Sequence, residues 1–198
     1  MRTDGAAMLL CLLASMVCGL WLRPPLLPRP SIMVIDVHRP LTPAERAALE
    51  TVQQYGRCVL EQDLKGLRRL SAPDYDDPYG VSGLIHEVQI PGVHATVLEW
   101  ETPGHRKVNR DGFIQEYRCF FEMYRFIENI RVAVLHIDLR GKTARVDVHI
   151  RLRGQMRLPQ IGLHRFVNHA HFLLVLRREK GRWLLTERRI FHLQTWLP

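Results

Sequence analysis

Lysine is scarce in this chain: only four of its 28 basic residues are Lys and the rest are Arg. Those Arg are spread along alternating segments and are not clustered with exposed aromatics, a pattern that argues against a nucleic-acid surface, so no nucleic-acid partner is expected. Cysteine is scarce as well, at four, with Cys11 and Cys18 inside an apolar N-terminal run. Cys58 and Cys119 remain, each within an expected helix. They could pair in an exported protein, but buried free thiols behave as small apolar side chains, and no disulfide is assigned. No residue cluster fixes a reaction, and neither a catalytic residue nor a cofactor is assigned from the sequence.

One apolar run stands out. Ala6 to Leu22 is uncharged and sits at the lower edge of bilayer-spanning length. No small-residue processing site follows it, and Val17 before Cys18 disfavours lipidation. Trp21 and Arg23 suit a membrane interface, and the Pro/Arg-rich stretch 23-40 reads as a stiff spacer. The expected layout is a short tail at 1-5, a transmembrane anchor at 6-22, the linker, and one α+β domain at 41-198 with an insertion at about 81-108. The domain is expected to be exported to the periplasm. Arg23, Arg29 and Arg39 outnumber Arg2, however, and by the positive-inside rule they favour the opposite orientation.

The folded part opens on a strong helix start. Thr42-Pro43-Ala44-Glu45 combines an N-cap hydroxyl, a proline at the first helical position and a glutamate three residues on. Ala48, Val52, Tyr55 and Val59 then recur at helical spacing. A shorter helix follows from Asp63, stopped by Pro73, and a turn-rich segment carries Asp74, Asp76 and Asp77. A third helix is expected from Asn109 or Asp111 to about Phe126, with Phe113, Tyr117, Phe120, Phe121 and Tyr124 on one aromatic stripe. Four strands close the chain: 130-139, 144-152, 166-178 and 183-193. In the second, Ala144, Val146, Val148, Ile150 and Leu152 alternate with polar residues, so one face is buried and the other wet.

Two helices, the Asp74-Tyr75-Asp76-Asp77-Pro78 turn, a third helix and strands ending in Gly181-Arg182-Trp183-Leu184-Leu185 resemble the SnoaL-like, nuclear-transport-factor-two-like superfamily. The resemblance implies a cystatin-like α+β cone: a strongly bent antiparallel sheet of four or more strands packed on three helices. It further implies an internal pocket for a small hydrophobic ligand, and often a homodimer through the outer sheet face. Enzymatic relatives place an acid or base beside a carbonyl-polarising tyrosine in that pocket. The candidates here are Asp76, Asp77, Tyr117, Tyr124 and Glu187, with Tyr79 and His136 beside them.

The basic excess lies in the C-terminal half, 19 Lys or Arg against 9 Asp or Glu from Trp100 onward. Its Arg and His fall largely on the wet strand face. Arg145, His149, Arg151, His169 and His171 are therefore expected to form an outer-sheet interface. His149, His169 and His171 have no Asp, Glu or Cys at ligand spacing, so no metal is assigned. Together with the anchor, this pattern favours a membrane-anchored, non-catalytic binding or assembly domain, an accessory subunit docking on a protein partner in a membrane complex or on a second copy. The alternative is an isomerase, dehydratase or cyclase-type enzyme working in the cone.

Overall fold

The computed structural model describes residues 32–77, 85–88, 96–100, 108–158 and 162–197, of which 85–88 and 96–100 are described by backbone alone. The expected transmembrane anchor at 6-22, and Cys11 and Cys18 within it, lie outside the described residues. Among the described residues no helix is long and apolar enough to cross a membrane.

β1 (Met33–Ile35) is followed by α1 (Pro43–Leu60) and α2 (Leu64–Leu70). The short strands β2 (Asp76–Asp77), β3 (Ile85–Val88), β4 (Thr96–Trp100) and β5 (Val108–Asn109) come next, then α3 (Arg110–Met123). Four long strands finish the chain: β6 (Tyr124–Arg140), β7 (Thr143–Leu158), β8 (Gly162–Glu179) and β9 (Arg182–Leu197). Seven strands form one sheet in the order β1-β6-β7-β8-β9-β4-β3, antiparallel except for the β1–β6 pair, and β2 pairs with β5.

Two expectations are corrected, those for residues 33–35 and for the end of the third helix. Residues 33–35, read as linker, are a strand: Val132 donates its N–H to the Ile32 carbonyl and Asp36 to that of Val134. The expected insertion contributes a hairpin, β3–β4, that extends the sheet beyond β9. The third helix ends at Met123, not Phe126, and Tyr124 begins a strand much longer than the alternating segment suggested. The aromatic stripe is continuous across that junction, so apolar spacing alone does not mark where the helix stops.

α1 forms as its N-terminus predicts. The Thr42 hydroxyl accepts from the Glu45 N–H at 3.2 Å, while Glu45 Oε2 accepts from the Thr42 N–H at 2.8 Å. Arg39 adds a fork onto the same carboxylate at 3.1 and 2.5 Å. The helix buries Ala48, Leu49, Val52, Tyr55 and Val59 against the inner sheet face. Each large apolar side chain so buried contributes about 1.5–3 kcal/mol.

The β6–β7 ladder is irregular near the start of β6. The β6–β7 register shifts between Tyr124 and Phe126 and again between Ile127 and Asn129. Gly154 of β7 sits opposite this double irregularity, paired with Ile127, and a Cβ there would stand 2.2 Å from the Phe126 carbonyl oxygen. Only glycine lets the two backbones approach so closely. β9 has two further irregularities, and these decide what enters the core.

Candidate active site

In regular alternation, β9 would turn Leu185 and Glu187 inward and Arg188 outward. Leu185 does turn inward, but beyond it the facing is reversed. The β8–β9 ladder pairs Leu176 with Leu185 and Val175 with Glu187, so Thr186 is an extra residue on β9. Such a bulge inverts the facing of everything after it. Leu185 and Arg188 both point inward, and Glu187 lies outside, paired with Arg189. The Thr186 hydroxyl donates to the Val175 carbonyl at 3.1 Å, satisfying an acceptor beside the bulge. A second irregularity at Phe191 restores the original facing, with Ile190 and Leu193 buried and Phe191 and His192 exposed.

Arg188 therefore lies in the core, 3% exposed. Its Nη2 donates to Glu116 Oε2 at 2.7 Å, and its Nε is 3.4 Å from Asp77 Oδ2, an ion-pair distance without hydrogen-bond geometry. The guanidinium carbon stands 5.3 Å from the Phe113 ring centre, 5.5 Å from that of Tyr117 and 5.8 Å from that of Phe172. Burial opposes this charge, but the electronegative shell of Tyr117, Tyr75, Glu116 and Tyr55 outweighs it and holds the guanidinium well above its usual range. Such a cation is retained in an apolar interior only if paired and hydrogen-bonded.

Three phenols complete the cluster. Tyr75 donates to Asp77 Oδ2 at 3.2 Å, and the hydroxyls of Tyr55 and Tyr117 are hydrogen-bonded to each other. Burial pushes Tyr55 and Tyr75 well above the ordinary phenol range, so both remain protonated donors. Asp77 is fully buried, whereas the Glu116 side chain keeps 20% of its surface exposed. Tyr117, Phe120 and Tyr124 form an aromatic run along α3 and into β6. At its far end Asn168 donates to the Tyr124 hydroxyl at 3.3 Å and to Thr195 Oγ1 at 3.0 Å.

Of the candidates read from sequence, Asp77 and Tyr117 are brought together and Tyr124 lies at the other end of the aromatic run. Asp76 is exposed on β2, Glu187 is on the outer face and His136 is an exposed residue of β6 paired across the sheet with Asp147. Tyr79 lies outside the described residues. Sequence reasoning missed Arg188, Glu116, Tyr55 and Tyr75. The Glu187-Arg188-Arg189 triplet was the available signal, and the bulge hides which member turns inward. Arg145, His149, Arg151, His169 and His171 do share the outer face. Among the described residues no His, Cys, Asp or Glu group is arranged to hold a metal ion, and Cys58 and Cys119 are free thiols.

The architecture is shared with a number of solved structures. One is a candidate scytalone dehydratase from Novosphingobium aromaticivorans, at 13% identity and a TM-score of 0.54 over 75% of this chain and 83% of that one. LinA matches at 14% identity and 0.53, over 78% of this chain and 89% of LinA. A ketosteroid isomerase-like protein from Erwinia carotovora matches at 12% and 0.50, over 75% and 95%. These likenesses show the fold alone. No family model and no curated protein matches the chain.

The expected membrane-anchored, non-catalytic assembly domain does not stand. Three of the solved structures that share its fold carry the names of a dehydratase, of LinA and of an isomerase-like protein, and none of these three is named as a membrane assembly subunit. The expectation rested on the N-terminal apolar run, the linker and the insertion as well as on outward-facing Arg and His, and it overlooked the charged cluster the bulge places inside.

Proposed function

We propose that this protein is an acid/base enzyme of the isomerase, dehydratase or cyclase type, acting on a small, largely apolar carbonyl compound held in the cone. The observation that carries this reading is the inward Arg188, shared by Asp77 and Glu116 beneath the Tyr55–Tyr117 pair. Two carboxyls face one guanidinium, Asp77 fully buried and Glu116 partly open to solvent, so one holds the cation while the other serves as base.

Glu116, the less buried carboxyl, takes the proton from carbon next to the substrate carbonyl. The electron pair moves onto the carbonyl oxygen, where the coupled phenols donate to the developing oxyanion. The abstracted proton then returns at another carbon, giving isomerisation, or assists departure of a β-hydroxyl, giving dehydration. Asp77, held by Tyr75, positions Arg188, and Arg188 in turn orients Glu116. The aromatic walls exclude water and strengthen each of these contacts.

A stable oxyanion tests the acceptor half of the site. A substituted phenol whose ionisation is read by absorbance should bind saturably and as the anion, and Tyr117→Phe should weaken that binding about tenfold or more. Absence of binding by the wild type, or unchanged binding by the variant, would contradict the reading.

A further inference from the structure

The outer sheet face carries a second chemistry, independent of the cone. Register places Arg131, Arg151 and His169 side by side across β6, β7 and β8, and His149, His171 and His192 side by side across β7, β8 and β9. These rows line a depression of about 380 Å³ that Trp196 also borders. The nearby carboxylate of Asp147 is taken by His171 Nε2 at 2.5 Å. Like charges directly opposite on neighbouring strands destabilise a sheet, and Arg131 and Arg151 are direct partners. His169 titrates below its usual range through burial, then Arg151, His192 and His149, which registers the positive field of the patch. Folding does not account for this arrangement, whereas a bound polyvalent anion does.

We infer that the depression formed by Arg131, Arg151, His149, His169 and His192 binds a small soluble phosphate monoester, its oxyanion between the two guanidinium groups and its organic body against Trp196. Planar guanidinium forks suit phosphate oxygens, and an indole face suits a flat organic group. A second copy is a poor occupant, because a two-fold axis through the patch would set cations against cations.

Isothermal titration of the full chain in 150 mM NaCl, with inorganic phosphate, phenyl phosphate and phosphatidylserine/phosphatidylcholine vesicles, tests this. Phenyl phosphate should bind saturably at one site and more tightly than inorganic phosphate, and Arg131→Gln/Arg151→Gln should weaken it at least tenfold. In phosphate-free buffer the double variant should melt no lower than the wild type, since it relieves repulsion, and it should lose the rise in melting temperature that phenyl phosphate gives the wild type. Absence of saturable binding, equal binding by the double variant, binding to vesicles alone, or wild-type dimerisation abolished by the double substitution would overturn the inference.

Discussion

Arg188 holds a full charge inside an apolar shell, so its removal separates two roles. Arg188→Met leaves Asp77 and Glu116 facing each other without their cation, and breaking a buried pair of this kind costs about 3–5 kcal/mol. Urea denaturation should show that loss. The triple replacement of Arg188, Asp77 and Glu116 by apolar residues of similar size should recover much of it, because no uncompensated charge is left behind. A triple variant as unstable as the single one would mean that packing, not charge, dominates at this position. The residues of the site were only partly legible from sequence. Asp77 and Tyr117 stood out because acid and phenol belong to carbonyl chemistry. Arg188 did not, since strand alternation turns it outward and a single unpaired residue, Thr186, turns it back. Tyr55 read simply as one position of an apolar helix face, and only the folded chain shows its hydroxyl meeting that of Tyr117.

The elements were more legible than the site because their signals are local. The cap of α1 could be read from four consecutive residues, and its charge linkage is testable. Arg39, the Thr42 backbone and the Thr42 hydroxyl hold Glu45 down to about 2, against 4.5 ordinarily, despite the opposing effect of burial. A depressed carboxyl stabilises the fold fully above its unfolded value and loses that contribution as pH falls toward its folded one. The melting temperature of Glu45→Gln should therefore lie below that of the wild type at pH 6, with the gap narrowing between about pH 4.5 and 2. A constant gap would assign the effect to packing. The irregularities of β6 were not legible, because they have no sequence signature beyond one glycine opposite them. Gly154→Ala drives a methyl into the Phe126 carbonyl and should destabilise by about 2–3 kcal/mol, read by thermal or urea denaturation. Gly141, which has open space around it, provides the control: alanine there should cost only the strain of its positive φ, about 1 kcal/mol.

At the scale of the whole molecule, one sheet divides two chemistries. Its inner face carries a nearly continuous apolar layer interrupted by the Arg188 cluster and by Asn168 with Thr195, and its outer face carries the Arg and His rows. Binary alternation predicted that division, and it led to the expectation that function lay outside. Bulges in β9 reverse the conclusion by exporting Glu187 and importing Arg188. Solvent-deuterium exchange tests the cone chemistry most directly: the protein is incubated in D2O with a panel of small cyclic and aryl ketones, and label incorporation next to the carbonyl is followed by NMR. The wild type should accelerate exchange for at least one ketone, and Glu116→Gln should lower that rate by about 10²–10⁴-fold while retaining a cooperative melt. Exchange no faster than in buffer across the panel, or equal rates for wild type and Glu116→Gln, would contradict an acid/base site at Glu116.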